Sequence, residues 1–186
     1  MAELLRCKSC GYVAEAGKVG DVCPACGVPR KMMEPWKDPV SPPRRRVLDM
    51  HLHPIIDHFT VAFLAAGFVL ALVALVLPAL LPQLVTDLMI GLLGVLPLAV
   101  VASFVSGLVD GSLRFRRTRA PALRAKKLLG AVLFLLSVAV AAIVLVAGPY
   151  EVWARYADVV LLAAGVACAG ALGRDGARLL PAMFPG

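Results

Sequence analysis

Four times after residue 55 the chain runs for about 20 residues in an almost unbroken series of Leu, Val, Ala, Ile, Gly and Phe, the length a helix needs to cross a hydrocarbon core roughly 30 Å thick. Only helices and closed barrels can span a bilayer, because every backbone polar group must be paired inside the segment or the barrel. Barrel strands alternate apolar and polar residues, and these runs do not. The composition agrees: 60% of the 186 residues are hydrophobic, 17% are charged and the mean hydropathy is +0.85, whereas soluble domains carry roughly 25% charge. The sequence therefore predicts a mainly α membrane protein, a four-helix transmembrane bundle with spans near Ile55 to Leu81, Leu84 to Val109, Leu128 to Ala147 and Val152 to Leu172. Pro82 and Gln83 would make the first hairpin tight, and Pro97 interrupts the second span.

Charge sets the orientation. The net charge of +7 is concentrated beside the spans, with thirteen Lys and Arg in residues 37–49, 112–127 and the tail after 173, against only Arg155 in the other two loops. By the positive-inside rule both termini are expected in the cytoplasm, which gives a multi-pass protein of the bacterial inner membrane. The same residues suit anionic lipid headgroups, so membrane lipid is an expected partner and nucleic acid is not.

Before the spans lie a small unit, residues 1–34, and a Pro- and Arg-rich linker, residues 35–49, with Pro35, Pro39, Pro42 and Pro43. Extended at about 3.1 Å per residue, such a linker would have a long reach. Met1 to Arg6 has no apolar core of a secretory signal, so the small unit is expected to stay where it is made. A membrane domain over 50–173 and a cytoplasmic tail over 174–186 complete the predicted organisation.

The small unit holds Cys7-Lys-Ser-Cys10, twelve intervening residues, then Cys23-Pro-Ala-Cys26. Two such pairs place four thiolates on two knuckles that can close on one metal ion, and a reducing cytoplasm argues against disulfides. Gly11 and Gly27 follow the two pairs, where glycine lets backbone amides turn toward the sulfurs. A unit this small cannot fold on its core alone, so the metal should supply most of its folding free energy. A tetrahedral sulfur site accepts either zinc or a single iron.

The stretch from Cys7 to Glu34, with Cys-Gly-Tyr12 at the first knuckle, the twelve-residue gap and the ending Pro29-Arg-Lys-Met-Met-Glu34, resembles the rubredoxin-like domain of rubrerythrins. Met33 departs from the phenylalanine usual before the final glutamate. The resemblance implies a β-knuckle fold and a mononuclear iron held by Cys7, Cys10, Cys23 and Cys26 that passes single electrons.

All three histidines fall in Met50-His51-Leu-His53-Pro-Ile-Ile-Asp57-His58-Phe59, at the entrance to the first span. An interfacial cap accounts for them. A functional reading makes His53, Asp57 and His58, together with Asp110 at the end of the second span, a haem, quinone or proton site. Haem b would need opposed ligands, supplied by a dimer or by Met89, and a metal site of His51, His53 and His58 is the weaker alternative. His53-Pro54, His58-Phe59 and Ser106-Gly-Leu-Val-Asp110-Gly resemble a family of uncharacterised bacterial four-helix membrane proteins; that resemblance implies a fold over about residues 50–173 and no activity.

The other features have structural readings. Ser103, Gly107 and Gly111, and Gly165 with Ala169, form small-residue faces suited to close helix packing or a homodimer. Arg155 and Asp158 read as an i,i+3 ion pair, Asp87 lies near the outer end of its span, and Cys168 reads as a small hydrophobe. Trp36, Tyr150, Trp153 and Tyr156 suit interfacial belts, while Met32, Met33 and Trp36 alternatively pack the small unit.

No catalytic nucleophile, phosphate loop or dinucleotide fingerprint is present, so chemistry would belong to the metal and to a partner. The expected function is a membrane-anchored one-electron carrier on the cytoplasmic face, exchanging electrons with a redox partner protein, a membrane complex or a quinone. Its alternatives are a zinc-ribbon adaptor that recruits a cytoplasmic protein, and a haem- or quinone-binding subunit of a redox complex.

Overall fold

The computed structural model describes residues 3–38, 40–77, 83–114 and 121–179. They divide into two compact units, residues up to Val47 with those from Arg174 onward, and Leu48–Gly173.

The first unit is built on a three-stranded antiparallel sheet of order β2-β1-β3, with β1 at Leu4–Cys7, β2 at Val13–Glu15 and β3 at Met33–Trp36. In register, β1 sets Leu4 against both Glu15 and Trp36. Arg6 from the central strand pairs with Glu34, 3.3 Å away, and lies 4.9 Å over the Trp36 ring, which assigns Trp36 to this unit. The apolar core is minimal: among its described residues only Cys7, Val19 and Cys23 are buried hydrophobics. Two are candidate metal ligands, so little side-chain burial remains to hold the sheet.

The described residues between 35 and 49 hold more regular structure than their proline content suggests. Strand β3 continues through Trp36, and α1 forms over Pro42–Asp49. Pro42 and Pro43 occupy a first turn, where a missing amide costs nothing, and eight helical residues rise only about 12 Å. Asp38 anchors the turn before the helix: it accepts the Val40 amide at 2.9 Å and the Arg45 guanidinium at 2.6 and 2.7 Å. Burial works against the Asp38 charge, but the hydrogen bonds from Arg45 and Val40 outweigh it and hold the carboxyl below its ordinary range.

The second unit is a bundle of α2 (Leu52–Val76), α3 (Gln83–Arg114), α4 (Pro121–Val146) and α5 (Val152–Leu179). All four helices are long and apolar enough to cross a membrane, so the chain is a multi-pass membrane protein. Its surface shows the same solvent: Leu98, Leu135, Val146 and Val160 are exposed, an arrangement that water would penalise and lipid does not. Left-handed His51, at φ 52°, separates α1 from α2 and donates from Nδ1 to the Asp49 carbonyl at 2.6 Å.

Helix ends differ from the apolar runs. Helix α2 stops at Val76, short of Leu81, because Pro78 disfavours helical backbone in the residue before it. Helices α3, α4 and α5 extend past their apolar runs to Arg114, back to Pro121 and on to Leu179, since helical hydrogen bonding does not stop where hydropathy falls. Pro82, Arg116, Arg117, Arg119 and the tail beyond residue 179 lie outside the described residues.

Small residues set the helix contacts. A Cβ on Gly67 would lie 2.5 Å from Leu93, one on Gly130 2.6 Å from Phe104, and one on Gly165 3.1 Å from Leu64 and 3.7 Å from Leu133. Thus α2 packs on α3, α3 on α4, and α5 against α2 and α4. Met89, Leu93, Leu96 and Leu162 fill the interior. Of the predicted faces, Gly107 receives the His53 ring, whereas nothing approaches Gly111 within 4 Å.

Candidate metal centre

The two cysteine pairs fold into matching knuckles. In the first, the Cys7 amide donates to Tyr12 O at 2.8 Å and the Gly11 amide to Cys7 O at 2.9 Å; in the second, Cys23 donates to Val28 O and Gly27 to Cys23 O at the same two distances. Each chain reversal needs a left-handed residue, supplied by Gly11 at φ 75° and Gly27 at φ 74°. No atom lies within 4 Å of a Cβ built on Gly27, so the requirement there is conformational. The glycine amides close the turns through carbonyls; the amides directed at sulfur are those of Cys10 and Ser9 toward Cys7 and of Val28 toward Cys26.

The knuckles face each other. Cys7 and Cys26 Sγ are 3.7 Å apart, Cys10 and Cys23 Sγ 3.8 Å, and all four sulfurs lie within 4.8 Å of one another. A tetrahedron with metal–sulfur bonds of about 2.3 Å has sulfur–sulfur edges of about 3.8 Å, so the donor set fits one ion of the zinc or iron class. Disulfides require about 2.05 Å, and all four cysteines are free. Among the described residues, this is the one group of three or more His, Cys, Asp or Glu placed to share an ion.

Electrostatics distinguish the thiols. Amides of Cys10 and Ser9 favour the Cys7 thiolate and bring its pKa down to about 7. The Val28 amide acts likewise on Cys26, but Cys10, burial, Cys23 and Cys7 together push that thiol up to about 12. Four sulfurs this close cannot all ionise without a cation among them.

A segment the cysteine spacing did not reveal braces the site. Arg30 sends its guanidinium back to the carbonyls of Val19 and Ala16, while its amide bonds Asp21 O at 2.8 Å and the Lys8 amide bonds Met32 O at 2.9 Å. These bonds tie the gap between knuckles to the turn after the second. The visible signal was one basic residue inside a run that otherwise read as part of a family ending.

The histidine segment forms a polar seam between α2 and α3. Ser103 Oγ donates to Asp57 at 2.6 Å, and Thr60 Oγ1 to Ala99 O at 2.9 Å. Ser106 Oγ spends its proton on Ser103 O, so it accepts from His53 Nδ1, 3.1 Å away. His58 folds back to donate to Pro54 O. Asp110 pairs with Arg114 on its own helix. The α2–α3 register sets Asp110 opposite residues 49–50, about two turns from the level of Asp57, so His53, Asp57 and the serines form one network and His58 and Asp110 have other partners.

Three further residues depart from their sequence readings. Arg155 donates to Pro149 O at 2.8 Å and Tyr150 O at 2.6 Å instead of pairing with Asp158. Asp158 is fully buried and neither oxygen has a hydrogen-bond partner. Cys168 adds to its apolar packing a thiol hydrogen bond to Leu129 O at 3.2 Å. Asp87 accepts from Gln83 at 2.8 Å, and Tyr150, Trp153 and Tyr156 are exposed near the start of α5.

Comparison with known proteins agrees with the cysteine geometry. No curated protein and no solved structure matches the chain. Residues 6–34 match the family described as rubrerythrin, rubredoxin-like domain, so this chain joins a rubredoxin-like four-cysteine domain to four long apolar helices.

Proposed function

We propose that the protein is a membrane-anchored one-electron carrier whose centre is a single iron held by Cys7, Cys10, Cys23 and Cys26. The observation that carries this reading is the set of four sulfurs at tetrahedral spacing within a segment matching the rubrerythrin type. Iron bound there supplies ferric–ferrous exchange. The chain's part is to hold the ligands fixed through the change of charge, which the two braced knuckles favour, and to offset the negative charge with amides aimed at sulfur.

Cys7 and Cys23 are buried while Cys10 and Cys26 are exposed, so two ligand sulfurs open a short route for an electron to a docked partner. Tyr12, Val22 and Met32 are exposed apolar residues of the same unit, suited to a transient, partly apolar contact. The basic residues flanking the spans support a cytoplasmic placement of both termini. The electron partner in this reading is a redox protein, a membrane complex or a quinone.

Metal analysis and visible spectroscopy of the protein purified from membranes of its native source test the reading. One iron per chain, with thiolate-to-iron absorption that bleaches on dithionite, is expected. A colourless protein with one zinc per chain would replace the carrier with a zinc-ribbon adaptor.

A further inference from the structure

Asp158 is the one buried acidic or basic side chain among the described residues. It is 0% exposed and both carboxylate oxygens lack a partner. The cation nearest in sequence, Arg155, is engaged with Pro149 and Tyr150 carbonyls. A second orphan accompanies it: the Thr86 hydroxyl on α3, on a residue 1% exposed, also lacks a partner.

The helix register brings the two to one depth. Gly67 against Leu93 places Thr86 opposite Ala74 on α2, and Gly165 against Leu64 places Asp158 opposite Ala71. Those levels differ by three residues, about 4.5 Å, just under one helical turn. Both alanines are fully buried, so the α2 face at this level is apolar. Met89, one turn from Thr86 on α3, and Ala154 and Leu162, one turn either side of Asp158 on α5, are also buried and carry no ionisable group.

An ionised carboxylate in these surroundings would be an uncompensated charge in a low-dielectric interior, which proteins avoid. One carboxylate calls for one positive charge. A dehydrated metal ion would need more oxygens than one carboxylate and one hydroxyl, and the buried alanine, leucine and methionine side chains nearest them along the helices offer none. A proton needs a single oxygen.

We propose that Asp158 is a proton-binding site inside the membrane bundle, with the Thr86 hydroxyl as its polar companion. Loading forms an O–H bond between one carboxylate oxygen and a proton delivered by water, discharging the carboxylate; unloading returns the proton to water. The site is separate from the cysteine centre and does not depend on which metal that centre holds.

The test is infrared spectroscopy of the full-length protein in detergent at neutral pH, comparing wild type with Asp158→Asn and following exchange into D2O. The expected result is a carboxylic-acid carbonyl band present in wild type, shifted in D2O, insensitive to sodium and absent in the variant. A hydrophobic carbodiimide, read by mass spectrometry, should label Asp158, and sodium should not protect it. Absence of the band and of labelling, or a band that never shifts in D2O, would overturn the proposal. Loss of band and label on adding sodium would make this a metal-cation site instead. Asp158→Leu provides the fold control: thermal unfolding of the bundle is expected at or above the wild-type temperature, whereas a lowered temperature would mark the carboxyl as a structural group.

Discussion

The cysteine unit and the helical bundle solve the same problem with opposite materials. Below residue 48 the described chain buries only Cys7, Val19 and Cys23 as hydrophobic residues, and its tertiary order comes from the four-sulfur cluster, backbone bonds and the contacts of Arg6 and Arg30. The bundle buries Leu, Val and Met throughout and treats polar groups as exceptions. One unit offers four sulfurs to a removable ion, the other is held by packing that cannot be removed without changing the sequence. Loss of metal should therefore separate them.

The largest expected effect is on the cysteine unit. Cys23→Ser, or a strong chelator, should unfold it completely, since a structural metal site of this kind contributes about 10–16 kcal/mol at neutral pH. Hydrogen exchange should show amide protection lost across β1, β2 and β3 and kept in α2 to α5; protection surviving in the sheet would break the contrast. Acid works in the same direction: metal must compete with protons for the thiolates, so metal release should grow as pH falls.

Next is the bundle. A valine at Gly67 would put its Cβ 2.5 Å from Leu93, and overpacking of this kind costs about 1–3 kcal/mol. Gly67→Val should lower the temperature at which detergent-solubilised protein loses helical circular dichroism and leave the metal spectrum unchanged. Gly27→Ala should do the reverse: at φ 74° it should cost about 1–2 kcal/mol, read as weaker metal retention with the bundle intact.

Smaller effects sharpen the comparison. Ser103→Ala removes the 2.6 Å bond to Asp57; interhelical hydrogen bonds in membranes average about 0.6 kcal/mol, so the bundle should be only slightly less heat-stable. The Asp38–Arg45 pair should matter least, about 0–1 kcal/mol for a partly exposed pair. Because the Asp38 pKa is lowered on folding, its contribution is present above the ordinary value of 3.8 and disappears as pH falls through the folded value. Asp38→Asn should therefore lower stability at neutral pH and match the wild type in strong acid.

Legibility differed between the two units as well. The cysteine spacing foretold the four-sulfur cluster because two Cys-x-x-Cys knuckles can close on one point, and the apolar runs foretold four helices because lipid permits little else. Hydropathy did not set the helix ends, since Pro78 and continued helical bonding did so. The Asp57–Ser103 and His53–Ser106 bonds depend on the registry of α2 against α3, which residue spacing within either helix does not contain. The pairing of Asp158 with Arg155 fails for a related reason: i,i+3 spacing allows it, but the carbonyls of the α4–α5 turn claim that guanidinium first.

Redox titration of the purified protein in lipid vesicles, followed at the thiolate-to-iron absorption with iron and zinc counted in the same sample, tests the central claim most directly. The account predicts one iron per chain and a reversible transition that fits a single electron. A protein that holds zinc when isolated from its native source and shows no redox transition would contradict it.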